Sequence, residues 1–594
     1  MVKITLKFFS ALLALDVKPA TYKPSPEALK APKNSSTQAA ANPGFGHLLM
    51  GPQNITFLPK VSDISDPVCN VEPYDAPPVG FQEFPPYDEA IATIFRYRQQ
   101  QAVNLGSWFV HESWMTPSVF DCAAGDGIAE IDIAHGWRSI ESARAVLERH
   151  WDTFITASDF EWLSSIGINT VRLPIGYWNL GPEFCRDTPF ADVAEVYRSS
   201  WSRVVRAINM AGMYGLGVLV DLHGAVGSQN GQDHSGVSDG QMNLFSDAGN
   251  VDKTINVLTY LTKELVHVNN IVGIEILNEP KYVGELEGFY GRAIDAMRAV
   301  DPDAAKFPLY VHDGFDLDRF SKYLSGRHDF TVQDHHSYFV YTDSDRQESA
   351  VQHAKDIGDT VSSFLQKASD QVHRNMIVGE FSCALTPESM AQNPDDGDKA
   401  RKDFCGGQVD TYTTRTGGWH FWSYMKEGCD QDPGWCFRSA VGTVLPSQFF
   451  PYKKPSSAYR KHSNKVGTNE SYADGVNHPF TLNAEDLPVL RRRTLATSPR
   501  DLSQRFQLIS QKRLDDTQNP GSDPADTNGY NDGKLTAQVF ASHNMSKLGF
   551  INQYISDSIG HLGPDVVPRG SEGKYYDGFW RGLWEGQDSL AMSA

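Results

Sequence analysis

Positive charge is scarce in this chain. Its 53 Lys and Arg stand against 73 Asp and Glu, a formal net charge of -20 over 594 residues. A nucleic-acid groove or an anionic membrane surface needs clustered Lys and Arg, so neither partner is expected. The one dense basic run, the three arginines at 491–493, reads as a solvated face or a processing site. Long apolar runs are lacking too, and nothing approaches the roughly 20 residues of a transmembrane helix. Residues 8–15, behind Lys3 and Lys7, form a short apolar stretch with the order of a secretory signal peptide. Residues 1–20 are therefore read as that signal, with a secreted, extracellular or cell-wall location as the expectation. Cysteine is sparse: the 7 residues include no paired CxxC of the zinc type, and their odd number leaves one thiol unpaired. Cys429 and Cys436 are close enough in sequence to bridge.

What the chain does hold is a globular composition, 40% hydrophobic and 21% charged, enough for a large buried core. The first 90 residues carry 13 of the 33 prolines and little periodicity, so 21–94 reads as an extended arm. From 95 to about 460 short β-branched runs alternate with helical stretches. Strands are expected at 104–110, 170–174, 217–222, 273–277, 309–312, 331–335, 376–379 and 418–422. Eight strand-helix units predict a (β/α)₈ barrel, an α/β fold. Tyr197, Trp201, Val204 and Ile208 mark one amphipathic helix, and Ser158 with Glu161 suggests a capping box ahead of Gly167. Beyond 460 the alternation fades into a C-terminal extension, 461–594. Three Tyr/Asp-Gly clusters there, 472–475, 530–533 and 576–578, have the chemistry of turns.

Polar side chains gather at the ends of the expected strands: Glu112, Arg172, His223, Asn278 and Glu279, His335 and His336, Glu380, and Trp422. In a barrel those ends converge on one mouth. Glu279 and Glu380 fall on opposite sides of it, and a glycosidic bond fits between two such carboxyls. One must deliver a proton to the leaving oxygen while the other stays ionised to attack. Arg172 is placed to hold Glu380 ionised, with Tyr338 giving a second bond. The histidines invite a metal reading, but His335 and His336, adjacent in a strand, point to opposite faces and make poor joint ligands. No metal or cofactor is expected. Trp108, Trp178 and Trp419 read as core.

Val171-Arg172-Leu173-Pro174, Asp221-Leu222-His223-Gly224, Leu277-Asn278-Glu279-Pro280, His336-Ser337-Tyr338 and Val378-Gly379-Glu380-Phe381-Ser382 resemble, in order, the strand-end motifs of glycoside hydrolase family 5. Asn104-Leu105-Gly106-Ser107-Trp108 and the loop from Gly224 to Gly231 are similar to those of the fungal exo-1,3-β-glucanases in that family. The resemblance implies Glu279 as acid/base and Glu380 as nucleophile. It also implies Asn278 at the sugar 2-hydroxyl, and Arg172, His223, His336 and Tyr338 as support. Glu112 and Asp233 would contact hydroxyls of the terminal sugar, and Trp422 would stack beneath it. Where relatives place a Phe before that Asp, this chain has Gln232, so only Tyr341 is left to form an aromatic entrance.

The expected activity is retaining hydrolysis of β-glucosidic bonds, foremost exo-acting release of glucose from β-1,3-glucan by a monomer. Two alternatives are β-1,6-glucan or a glucosylated lipid as substrate, and a glucan-binding wall protein without catalysis.

Overall fold

The computed structural model describes residues 69, 71, 73–393, 396–452 and 523–593. The signal-like segment, most of the proline-rich arm and the cluster at 472–475 lie outside the described residues.

Eight parallel strands close a barrel in sequence order: β1 Gln100–Asn104, β2 Thr170–Gly176, β3 Gly217–Gly224, β4 Ile271–Glu275, β5 Leu309–His312, β6 Thr331–Ser337, β7 Met376–Phe381 and β8 Gly418–Phe421. β1 returns to β8 with Gln100 opposite Gly418. Every strand residue is buried, as expected of a parallel sheet packed on both faces. Seven of the strands fall where the sequence pattern puts them, within about two residues. The first does not. It ends at Asn104, and 105–110 is a buried loop in which Ser107 takes a positive φ of 54°. The true strand begins with Gln100 and Gln101, whose polar side chains hid it. Gln100 bonds the Tyr310 hydroxyl at 2.7 Å and meets His420 at 2.8 Å inside the barrel.

The principal helices of the described chain are α1 Glu89–Tyr97, α2 Ala157–Ser165, α3 Ser200–Met213, α4 Ala248–Leu265, α5 Leu286–Arg298, α6 Leu317–Leu324, α7 Ser362–Gln371, α8 Gly397–Arg415, α9 Pro524–Ser542, α10 Ile551–Leu562 and α11 Glu572–Ser593. α1 starts inside the segment read as an arm, capped by Asp88. α2 begins two residues before the expected capping box: Thr156 is the cap and Asp159 reaches back to it at 2.8 Å. Gly167, at φ +94°, ends that helix as expected. Trp108, Trp178 and Trp419 are fully buried. Cystines join Cys69 to Cys122, Cys383 to Cys405 and Cys429 to Cys436, leaving Cys185 as a buried thiol.

The C-terminal helices cover the barrel end opposite the strand tips. Phe540, Leu548, Phe550 and Ile555 pack on Tyr97, Leu219, Val272, Tyr310, Phe330 and Ile377. The clusters at 530–533 and 576–578 are not turns. They lie within α9 and α11, where Gly529 and Gly533 meet the backbone of α11 and Gly578 and Gly582 meet that of α9 so closely that any side chain would overlap it. The glycines serve helix contact, and Asp532 accepts from the buried Tyr575 hydroxyl at 2.6 Å. No described helix is long and apolar enough to cross a membrane.

Candidate active site

Arg172 rises from β2 into the centre of the mouth, fully buried. Its Nε donates to Glu275 at 2.7 Å, one terminal nitrogen to Glu380 Oε1 at 2.9 Å and to Asn104 at 3.0 Å, and the other to Asn278 Oδ1 at 2.7 Å. Tyr338 donates to Glu380 Oε2 at 2.7 Å. Both oxygens of Glu380 are therefore fixed. Glu279 follows β4 with a positive φ of 39°, a backbone state that a side-chain-bearing residue holds at a cost. Its carbonyl accepts from Asn230 at 3.0 Å, while its Oε1 meets His336 Nδ1 at 2.7 Å.

The same His336 nitrogen lies 3.3 Å from Glu380 Oε2. Two oxygens held 2.7 and 3.3 Å from one atom are at most about 6 Å apart, the sum of those contacts. That bound, between the two facing oxygens, is nearer the roughly 5–5.5 Å of carboxyl pairs in which one attacks directly than the roughly 6.5–9.5 Å of pairs that activate a water between them.

The carboxyls titrate as a pair. Burial, opposed by the His336 charge and reinforced by Glu279, pushes Glu380 up to about 7. Burial also pushes Glu279 up, but the hydrogen bond and charge of His336 outweigh it and hold that carboxyl below its ordinary range. Burial lowers His336, yet the charges of Glu380 and Asp334 carry it well above a free imidazole. The two carboxyls thus hold a proton in common with His336, where the sequence reading assigned it to Glu279 alone. Like charges around one nitrogen keep a proton between them up to neutral pH.

The remaining expected residues line the same mouth. Glu112 accepts from Trp114 Nε1 at 2.7 Å and is pushed up to about 8 by burial, with Asp233, Glu380 and Glu279 adding to it against the Trp114 bond. Asp233 opens a 3₁₀ turn directly after Gln232. His223 Nδ1 meets Asp221 at 2.6 Å, and burial lowers it to about 4. The Trp422 ring lies parallel to His223, 5.7 Å away, over Gly106, where any side chain would crowd the indole. Tyr341 is 54% exposed at the rim, its ring edge-on to Tyr338. His335 turns away to Asp313 at 2.7 Å.

Sequence reasoning missed four neighbours. His312 lies 4.3 Å from the His336 ring, and His234 Nε2 is 3.7 Å from Glu279 Oε2. Trp114 and Trp435 pack together beside Tyr338, so the rim holds more aromatic surface than Tyr341 alone. The sequence signal for Trp435 was its place beside Cys436, whose cystine anchors that loop. Glu279, His312 and His336, and again Glu275, Asp334 and His336, come within 4.8 Å in ligand-like groups. Both groups share His336, whose nitrogens already face carboxylates, so the chemistry on offer is proton transfer and nucleophilic attack.

A family model described as Cellulase (glycosyl hydrolase family 5) matches residues 133–428. Glucan 1,3-beta-glucosidase 3 of Schizosaccharomyces pombe is 34% identical over 359 residues, 59% of this chain and 73% of that protein. Probable glucan 1,3-beta-glucosidase A of Aspergillus fumigatus is 31% identical over 392 residues, 58% of this chain and 87% of its own. Among solved structures, a rutinosidase from Aspergillus niger aligns with TM-score 0.47 at 17% identity, covering 59% of this chain and 99% of that one.

Proposed function

The chain belongs to glycosyl hydrolase family 5, and as a glycoside hydrolase of that family we propose that it cleaves β-glucosidic bonds with retention, releasing glucose from the non-reducing ends of β-1,3-glucan. Glu380 is the nucleophile and Glu279 the acid, then the base. The observation that carries this reading is the pair of carboxyls on one His336 nitrogen, close enough for direct attack rather than for an intervening water. Arg172 and Tyr338 hold both Glu380 oxygens toward the sugar. Asn278, fixed by Arg172 and by Gln229 on its carbonyl at 3.0 Å, faces the 2-hydroxyl. Trp422 supplies the face beneath the sugar, and Glu112 and Asp233 take its outer hydroxyls.

Residues 95–460 form the catalytic unit, and the helices of 461–594 support it. Three cystines among the described residues favour an oxidising compartment, outside the cell or in its wall. The wider aromatic rim of Trp114, Tyr338, Tyr341 and Trp435 supports an extended glucan as acceptor, with Gln232 replacing one ring of the entrance.

Product analysis on laminarin with the anomer followed by NMR tests the reading. Glucose alone, first as the β-anomer, is expected; α-glucose or a ladder of oligosaccharides would overturn it. Glu380→Gln is expected to lower hydrolysis of an aryl β-glucoside by on the order of 10⁴-fold or more.

A further inference from the structure

Beneath the two glutamates lies a third carboxylate with no part in the reaction so far. Asp334, on β6, is fully buried. Its Oδ1 accepts the Gly379 amide hydrogen at 2.7 Å, one residue before Glu380. A side chain at 379 would overlap that carboxylate, so only glycine admits it. Its Oδ2 faces His336 Nε2 across 3.5 Å, and neither atom has another hydrogen-bond partner. From the other edge of the ring, Nδ1 faces Glu279 and Glu380.

We propose that Asp334 is a positioning residue that fixes which nitrogen of His336 turns its lone pair to Glu279, and so lets Glu279 carry the proton the leaving oxygen takes. The inference rests on reading Glu279 as the acid. A neutral imidazole carries one N–H. With that hydrogen on Nε2, toward the Asp334 anion, Nδ1 is an acceptor, and the 2.7 Å contact is made by a proton on Glu279. The opposite tautomer sets a lone pair against the Asp334 carboxylate and turns Nδ1–H on Glu279, which must then be ionised. When the ring holds both protons, Nδ1–H breaks and Oε1–H forms along the same line. This leaves neutral imidazole and a neutral acid with no heavy atom displaced. The other charged or titratable groups around the ring are Glu275 from β4, His312 from β5, Glu380 from β7 and His420 from β8, with Arg172 from β2 behind Asp334. None of them hydrogen-bonds Nε2. By holding Gly379 with its other oxygen, Asp334 also ties the strand that carries Glu380 to the ring that serves Glu279.

The test is Asp334→Asn in the full chain, which keeps an acceptor for Gly379 but sets an amide N–H against Nε2. For phenyl β-glucoside, whose leaving group needs a proton, kcat/KM is expected to fall about 100-fold. For 2,4-dinitrophenyl β-glucoside, which needs none, it should stay near wild type. Equal losses on both substrates, or none on either, overturn the proposal. A ¹⁵N NMR assignment of His336 in the wild-type chain gives a second arm that does not depend on the variant folding. A hydrogen on Nε2 is expected, and a neutral ring protonated at Nδ1 overturns the proposal. A wild type that cleaves neither glucoside overturns the functional reading instead and leaves the NMR arm to judge Asp334.

Discussion

Tyr338 and Arg172 differ in what they give Glu380: the arginine brings charge, the tyrosine a single hydroxyl at 2.7 Å. Removing that hydroxyl in Tyr338→Phe leaves Arg172 in place. It should lower kcat on an aryl β-glucoside roughly 10- to 100-fold, the loss of one hydrogen bond to a charged group at about 1.5–3 kcal/mol. The pH profile follows from the pair. Below about 7 the two carboxyls keep one proton between them, and above it both are anions. The acid form is lost as pH rises, so kcat/KM on a poor leaving group should fall about tenfold per unit above neutrality. A profile flat to pH 9 would contradict the shared proton. At this scale the sequence was informative about identity and silent about protonation. Strand-end position marked Glu279, Glu380, Arg172 and Tyr338, because a barrel brings strand ends together whatever the loops do. The order in which the carboxyls titrate depends on His336 lying against both, a distance across β4, β6 and β7 that no linear pattern records.

At the scale of elements, glycine distinguishes α9 and α11 from the barrel helices. Gly533→Ala would drive a methyl into the Phe579 carbonyl, an overpacking expected to cost about 1–3 kcal/mol and to lower the melting temperature. Gly560 lies in α10 with nothing near its missing side chain, so Gly560→Ala should stabilise by about 0.5–1 kcal/mol. Calorimetry on the two variants should thus give shifts of opposite sign, with kcat unchanged in both. The same glycines explain why the sequence misled. Asp-Gly signals a turn when the chain is considered alone, and only a second helix pressed against it makes glycine the fitting helical residue. β1 failed for a related reason: Gln100 and Gln101 look like surface residues until Tyr310 and His420 stand opposite one of them. Where a strand opens on an apolar run, as β3 does with Val218, Leu219 and Val220 and β7 with Met376, Ile377 and Val378, pattern and structure share their start.

For the molecule as a whole, the mouth and the floor are built by different stretches of chain. Residues from β1 to Trp435 supply every side chain of the candidate site, whereas Phe540, Leu548 and Phe550 close the far end. A chain ending before α9 should bind a hydrophobic dye and melt several degrees lower, since Tyr97, Phe330 and Ile377 would face water. If it melts like the full chain, the helices are ornament rather than floor. Surface chemistry obeys the same division. Asn544, which with Met545 and Ser546 has the pattern of an N-glycosylation acceptor, donates its side-chain amide to the Gly215 carbonyl at 3.5 Å, where the helices meet the barrel.

The root of β1 is pinned from that far end: the Gln99 amide donates to Lys547 at 2.7 Å and the Gly549 amide to Tyr97 at 2.8 Å. During translation the strand made first must therefore wait for residues made after all the other strands of the barrel. Once Cys436 has left the ribosome the mouth can be complete, yet the opposite end stays open until Leu583 has followed. In that interval the nascent chain carries a finished pocket above an adhesive underside. Its exposure to chaperones and to misassembly is governed by the time taken to translate on to Leu583, not by the site that does the chemistry.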